Sequence, residues 1–401
     1  MSPTRNDASL EIAAGQPMLD QTLDWVAINS GTANLAGLGT VAGKLADAFA
    51  ALPGELALVE ADPVESILPD GATRTAERGR NLHLTVRPEA PVQLLLTGHM
   101  DTVFGADHAF QSVRTLADGR INGPGVADMK SGIAIILAAL KGLEASPLAA
   151  RVGYEVVINS DEETGSQGSA SLIARAAQGK AAALTYEPSA TPEGQLAGAR
   201  PGSGNFSIVI TGRPAHAGRN PEDGRNAVLA AADLALRLSK AKGPRLSVNP
   251  AKIDGGGPNN VVPDHAVLRV NMRPATPEDQ ARAQSHLDAA IALVAAEHGV
   301  HIDCHGGFAR PPKPLDPAAE RLFQLVRDCG ARLGLPISWA PSGGVCDGNN
   351  IAACGVPVVD TMGARGGAIH SGEEFLIVES LAERARLSTL VLLDLAERGR
   401  P

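Results

Sequence analysis

The sequence predicts an α/β protein: a mostly parallel sheet flanked by helices, interrupted by an inserted α+β domain of one small sheet and two helices. Three observations predict it. The 401 residues are too many for one ordinary core and allow two. Apolar strands alternate with amphipathic helices from Leu82 to Pro192, a grammar that implies parallel strands covered by helices. From about Gly202 it changes to strands with alternating polar and apolar faces, and beyond a proline-rich connector it changes back.

In the first block, "NLHLTV", "VQLLLTG", "YEVVINS" and "AALTYE" read as strands, and "MKSGIAIILAALKGLEA" and "SASLIARAAQG" as helices. Chemistry in such sheets collects just past the strand C-termini. The second block runs strand "GNFSIVITG", helix "NAVLAAADLALRLSKA", strand "HAVLRVNMR", helix "EDQARAQSHLDAAIALVAAEHG" and strand "HIDCHG". That order suits a small sheet carrying two helices on one side. After "ARPPKPLDP" come a helix, the buried run "GVPVVD" and a terminal helix "LAERARLSTLVLLDLAERG". The expected division is residues 1–200 with 310–401 as one domain and 201–309 as the insertion. No solenoid-period repeat or low-complexity segment interrupts it.

Apolar residues make up 44% and charged residues 20% of the chain, the profile of a soluble globular protein. A formal charge of -9 with scattered Lys and Arg leaves no basic stripe, which argues against a nucleic-acid partner. "MSPTRNDASLEIAAG" lacks the charged-then-apolar pattern of a signal peptide, and the longest apolar run, "IAIILAAL", is far short of a membrane span. The expectation is a cytoplasmic chain with no membrane partner. Cys304, Cys329, Cys346 and Cys354 form no CxxC pair and read as free thiols.

The expected strand ends deliver acids and histidines: His99 and Asp101, then Asp128, Glu162 with Glu163, and Glu187, while His370 lies in a later glycine-rich loop. Singly, each fits an ordinary solvated loop. Together they converge, because parallel strands end on one edge of a sheet. Carboxylates crowded there repel and raise one another's pKa unless a cation sits between them. Two imidazoles and three carboxylates form a fair ligand set for zinc. Glu162 and Glu163, being adjacent, point in different directions, so one can bind metal while the other faces substrate.

Other patterns lead elsewhere. His298, His301, Cys304 and His305 lie close in sequence, but strand geometry puts His301 and Cys304 on opposite faces. "DGGGPNN" lacks the spacing and lysine of a phosphate loop, and no G-x-G-x-x-G or G-x-S-x-G is present, which disfavours a dinucleotide enzyme or a serine hydrolase.

Between about Leu94 and Ser371 the segments "GHMDTV", "GPGVADMKSG", "NSDEETGSQGS", "YEP", "GRPAHAG" and "GGAIHS" follow one another. Together they resemble the signatures of the M20 family of zinc-dependent peptidases and amidohydrolases, most of all the glutamate carboxypeptidase, or carboxypeptidase G, branch. The resemblance implies two Zn2+ per chain, with Co2+ or Mn2+ able to fit similar ligands. Asp128 would bridge them, His99 and Glu187 completing one site and Glu163 and His370 the other. It implies that Glu162 is the general base toward the attacking water, and that Asp101 accepts the second ring N–H of His99 and fixes its tautomer. Asp161 is expected to be a solvated turn residue without a role. A cis peptide after the bridging aspartate, here Asp128–Met129, is also implied.

By the same resemblance, His216 in the insertion reaches into a partner subunit's site to stabilise an oxyanion, which makes the insertion a lid and the protein a homodimer. Asn260 and Arg273 are similar to positions that hold the substrate's terminal carboxylate, Arg310 being a weaker candidate. Gly343 and Gly344 resemble a loop lining the acyl side of the pocket, where backbone must come close. The substrate implied is a small N-acyl amino acid or peptide-like molecule that releases a C-terminal amino acid, glutamate first. The alternatives are an aminoacylase or deacylase for other N-acyl amino acids and a catalytically inactive binding homologue.

Overall fold

The computed structural model describes residues 5–401; residues 1–4, the start of the segment read above against a signal peptide, lie outside the described residues. The central sheet has six strands in the order Glu55–Val59, Asn81–Val86, Val152–Asn159, Val92–His99, Ala182–Thr185 and Val358–Val359. The last four run parallel, and the first two are antiparallel additions on one edge.

Period-2 alternation decides what covers each face. Leu94, Leu96, Val156, Ile158, Ala182 and Leu184 point into one core, shared with the helices Lys130–Glu144 and Ser380–Arg398. Leu95, Val157 and Ala183 point the other way, onto the helices Ala170–Ala177 and Asp347–Ala353. Because both faces are covered, the strands read as continuous apolar runs rather than alternating ones. The α/β architecture expected from the sequence is the one observed. Helix Lys130–Glu144 lies so close to the sheet that a Cβ on Gly132 would come within 2.2 Å of the Tyr186 carbonyl oxygen.

Two parts of the fold were not legible. The chain opens with three helices, Arg5–Ala14, Met18–Val26 and Leu35–Phe49, which bury Trp25, Val26, Leu38, Leu45 and Phe49 against the first core. The small sheet has four antiparallel strands, not three, in the order Leu246–Gly255, His265–Pro274, Ser203–Thr211 and His301–Arg310. The missed strand lies on the edge, is mostly exposed and shifts register between Pro250 and Lys252. An edge tolerates a proline and needs no apolar alternation, so its pattern is faint.

The small sheet packs the helices Ala227–Ser239 and Pro277–His298 on one face over a core of its own that includes Ile208, Leu234, Leu268 and Leu287. Its other face meets a hairpin of the first domain, Val64–Ile67 with Thr73–Ala76. Ile67 packs on Val209 and Val267 there, and Arg269 donates to the Ile67 carbonyl at 2.7 Å. Among the described residues, no helix is long and apolar enough to cross a membrane.

Candidate metal centre

The parallel strands deliver their C-terminal ends to one cavity of about 520 Å³. His99 is the last residue of its strand, Glu162 and Glu163 open a short 3-10 turn just past Asn159, and Glu187 lies two residues beyond Thr185. Asp128 precedes the helix that begins at Lys130, and the Asp128–Met129 peptide is cis. His370 comes from the loop before the terminal helix, with a left-handed backbone at φ 62. Histidine is among the few non-glycine residues enriched in that region.

The Asp128 carboxylate faces both imidazoles. Its Oδ1 lies 3.1 Å from His99 Nε2 and its Oδ2 lies 3.2 Å from His370 Nε2. On the first side His99 Nε2 is also 3.6 Å from Glu187 Oε2, and on the second His370 Nε2 is 3.2 Å from Glu163 Oε2. The structure therefore brings all five expected ligands together as two groups sharing one carboxylate. Ligand atoms of His99, Glu162 and Glu187 also lie within 4.8 Å of one another, as do those of His99, Asp128 and Glu163. Both groups are candidate metal ligand sets.

The electrostatics say what such a cluster lacks. Burial pushes the Glu162, Glu163 and Glu187 carboxyls above the usual range, and the neighbouring Asp128 adds to the rise at Glu163. Burial alone would do the same to Asp128, yet the hydrogen bonds from His370 and His99 hold it well below. His370 is raised to about 10 by its hydrogen bonds to Asp128 and Glu163. Burial opposes a charge on His99, but Glu187 and hydrogen bonds to Asp101 and Asp128 outweigh it. One oxygen of Glu187 is buried without any hydrogen-bond partner. A buried acceptor left unpaired costs about 1–3 kcal/mol. The imidazoles of His99 and His370 face Asp128 from two sides, and the orphaned oxygen of Glu187 is a buried donor atom without a partner. The donor set fits divalent metal.

Asp101 lies where a histidine orienter belongs. Its Oδ1 is 3.3 Å and its carbonyl oxygen 3.1 Å from His99 Nδ1. The same carboxylate accepts from the backbone N–H of Glu162 at 3.1 Å and of Glu163 at 3.2 Å, and from the Thr32 hydroxyl at 2.7 Å. It thus ties one strand end to the turn beside it.

The residues expected from the insertion are placed differently. His216 is exposed, its Nδ1 accepts from Gly218 N–H at 3.1 Å, and it pairs with Val261 beside Asn260, outside the cavity lining. Asn260 is likewise exposed. Within one chain neither residue meets the acids. Arg273 is exposed and donates to the Gly343 carbonyl at 3.2 Å. Gly344 lines the cavity, but a Cβ on it would meet nothing nearer than Arg200 Nη1 at 3.6 Å, and one on Gly343 would meet nothing within 4 Å. The chain itself packs nothing tightly against either α-carbon.

Two expectations need correction, and one residue was missed. Asp161 is not solvated: it is fully buried and accepts from Gly168 N–H and the Ser169 hydroxyl, both at 2.6 Å. Arg310 does not offer itself to substrate: it is buried, with Nη2 2.7 Å from Glu162 Oε1 and Nη1 2.9 Å from Asp347 Oδ1. Glu374 escaped notice altogether. Its buried carboxylate accepts from the N–H groups of Ala127 at 2.9 Å, Asp128 at 3.1 Å and Gly125 at 3.2 Å. It fastens the His370 loop to the Asp128 loop, and its place four residues after His370 was the available signal.

Residues 95–394 match the description Peptidase family M20/M25/M40. The chain belongs to that family. It is a hydrolase of the peptidase or amidohydrolase kind. It is 30% identical over 327 residues to carboxypeptidase G2 of Pseudomonas sp. (strain RS-16), covering 79% of this chain and 77% of that one. It is 27% identical over 325 residues to succinyl-diaminopimelate desuccinylase of Psychrobacter arcticus, covering 75% and 78%. Its fold is similar to a tripeptidase from Staphylococcus aureus, at a TM-score of 0.71 and 24% identity over 95% of this chain and 98% of that one.

Glu374→Gln keeps one acceptor oxygen but turns an NH2 donor toward an N–H group that needs an acceptor, Gly125 if the oxygen stays on Ala127 and Asp128. The variant should remain folded by circular dichroism and bind divalent cation about 10–100-fold more weakly in competition with a chromogenic chelator. Unchanged affinity would mean that the Asp128 loop holds its place without this carboxylate.

Proposed function

We propose that the chain is a di-zinc hydrolase cleaving an amide bond beside a free carboxylate, releasing a C-terminal amino acid, glutamate first, from an N-acyl or peptide-like substrate. One observation carries the reading: a single buried carboxylate, Asp128, is shared by two His and carboxylate groups at 3.1 and 3.2 Å, with Glu162 alongside. His99, Asp128 and Glu187 would hold one ion and His370, Asp128 and Glu163 the other, Co2+ or Mn2+ being able to replace zinc. When bound, such ions polarise the amide carbonyl and make water acidic near neutral pH.

The chain's own groups supply the rest. Glu162 is the general base, taking a proton from the attacking water and returning it to the leaving amine. Burial pushes the Glu162 carboxyl upward against the pull of Arg310 and His99, a direction that suits a proton acceptor working near neutral pH. Asp101 keeps His99 oriented, as metal-binding histidines require. Arg273, an exposed planar fork beside Gly343, suits the substrate's terminal carboxylate, while Asn260 lies with His216 at the other end of the small sheet.

His216 lies outside its own chain's cavity, so its proposed role in stabilising the oxyanion is filled in trans, across a homodimer formed through the insertion. The exposed Leu229 and Leu236, at 60% and 66%, support such an interface: seven residues apart, they share one face of helix Ala227–Ser239. The likeness to carboxypeptidase G2 favours glutamate. The likeness to a desuccinylase favours a second reading, a deacylase for other N-acyl amino acids.

Benzoyl-glutamate, pteroyl-glutamate and a series of N-acyl amino acids, assayed for amino acid release with and without chelator, separate the two. Chelator-sensitive release of glutamate is expected, and Glu162→Gln should lower the rate by several orders of magnitude while keeping metal. Preferential release of another amino acid favours the deacylase. A fully active Glu162→Gln variant removes the base.

Mixed dimers of His216→Ala with Glu162→Gln chains should regain activity at one of their two sites, since only one site then has both groups intact. No recovery would place His216 in cis.

A further inference from the structure

We propose that Arg310 is a positioning residue: it holds the Glu162 carboxylate in its working orientation from the junction of the inserted domain with the catalytic domain. The inference rests on Glu162 acting as the base. Arg310 is the last residue of the strand His301–Arg310, which belongs to the small sheet, yet its side chain is buried in the catalytic domain. Nη2 donates to Glu162 Oε1 at 2.7 Å, to the Ser166 hydroxyl at 3.0 Å and to the Glu162 carbonyl at 3.2 Å. Nη1 donates to Asp347 Oδ1 and Asn350 Oδ1, both at 2.9 Å. Each terminal nitrogen has two N–H groups, and all four are engaged within the chain.

The guanidinium engages one carboxylate oxygen of Glu162 together with the same residue's carbonyl, which fixes both the rotamer and the turn beneath it. The planar fork does this from Nη2 while Nη1 stays on Asp347 and Asn350, a span that a single ammonium nitrogen does not cover. Asp347 backs the arrangement by accepting from Arg310, the Ser166 hydroxyl and Asn159 Nδ2.

Its location adds a second consequence. The chain enters the insertion at Ser203, the register partner of Arg310, and leaves it at Arg310 itself. Beside this point Arg200 and Lys313 exchange backbone hydrogen bonds at 2.9 and 3.0 Å, and Asn349 Nδ2 donates to the carbonyls of Pro201 and Pro311 at 2.9 and 2.8 Å. The two crossings are clamped together and to the catalytic domain. The clamp keeps Arg310 in register with Glu162 across the junction.

The test is a double-mutant cycle on Arg310→Lys and Glu162→Gln, read as kcat and KM for benzoyl-glutamate or the best substrate of the panel, with metal content measured alongside. Arg310→Lys alone should keep its metal and KM and lose about 100-fold in kcat, the cost of misplacing a reacting group by about an ångström. In the Glu162→Gln background it should cost nothing further, because the group it positions is gone. An equal loss in both backgrounds, or a raised KM with kcat unchanged, overturns the proposal. A Glu162→Gln variant at the wild-type rate overturns the base assignment instead, so the two failures are distinct. Should Arg310→Lys not fold, Asn350→Ala removes one acceptor and keeps the charge. It should lower kcat by a smaller factor, again only when Glu162 is present.

Discussion

Four carboxylates and two imidazoles in one cluster, all but His370 largely buried, are the constraint on which the rest of the structure depends. Asp128, Glu162, Glu163 and Glu187 all line a single cavity, and burial drives the three glutamates toward their neutral forms. Isolated in a low-dielectric interior, such charges would each be neutralised. The two histidines supply only part of the missing positive charge, and the unpartnered oxygen of Glu187 remains. A scaffold that forces acids together at this cost is explained by a resident cation, which turns mutual repulsion into shared coordination.

The fold meets that constraint by dividing the labour between rigid strand ends and fastened loops. His99, the Glu162–Glu163 turn and Glu187 follow from parallel strands whose apolar alternation is satisfied on both faces. Asp128 and His370 come from loops, which are mobile by default. Each loop is therefore tied. Glu374 joins the Asp128 loop to the His370 loop through three backbone N–H groups, and Asp101 joins the His99 strand end to the turn through two more. The ties are hydrogen bonds to main chain, so they set geometry without adding a competing ligand.

Sheet topology made His99, Glu163 and Glu187 legible at their strand ends, whereas Asp128 and His370 were legible through the resemblance of the glycine-rich segments that carry them. The sequence hid the fasteners. Glu374 and Asp347 went unread and Asp161 read as a solvated turn acid, because little in the local sequence separates a solvated carboxylate from one buried under hydrogen-bond donors. Arg310 read as a weak substrate contact because its strand belongs to the insertion while its side chain does not. The amphipathic N-terminal helices and the edge strand Leu246–Gly255 escaped for the opposite reason: short or interrupted periodicity gives little signal until tertiary packing supplies the partner face. His216 and Asn260 are legible only as sequence motifs, since one chain does not carry them to the cavity.

The most direct measurement is the number of divalent ions bound per folded chain, by elemental analysis after dialysis against zinc, in the wild type and in Asp128→Ala. With Asp128 as the shared ligand, the wild type retains two ions and the variant loses both, because removing the bridge dismantles both groups. A wild type that saturates at one ion, or an Asp128→Ala chain that still holds two at full affinity, would contradict the shared-carboxylate centre.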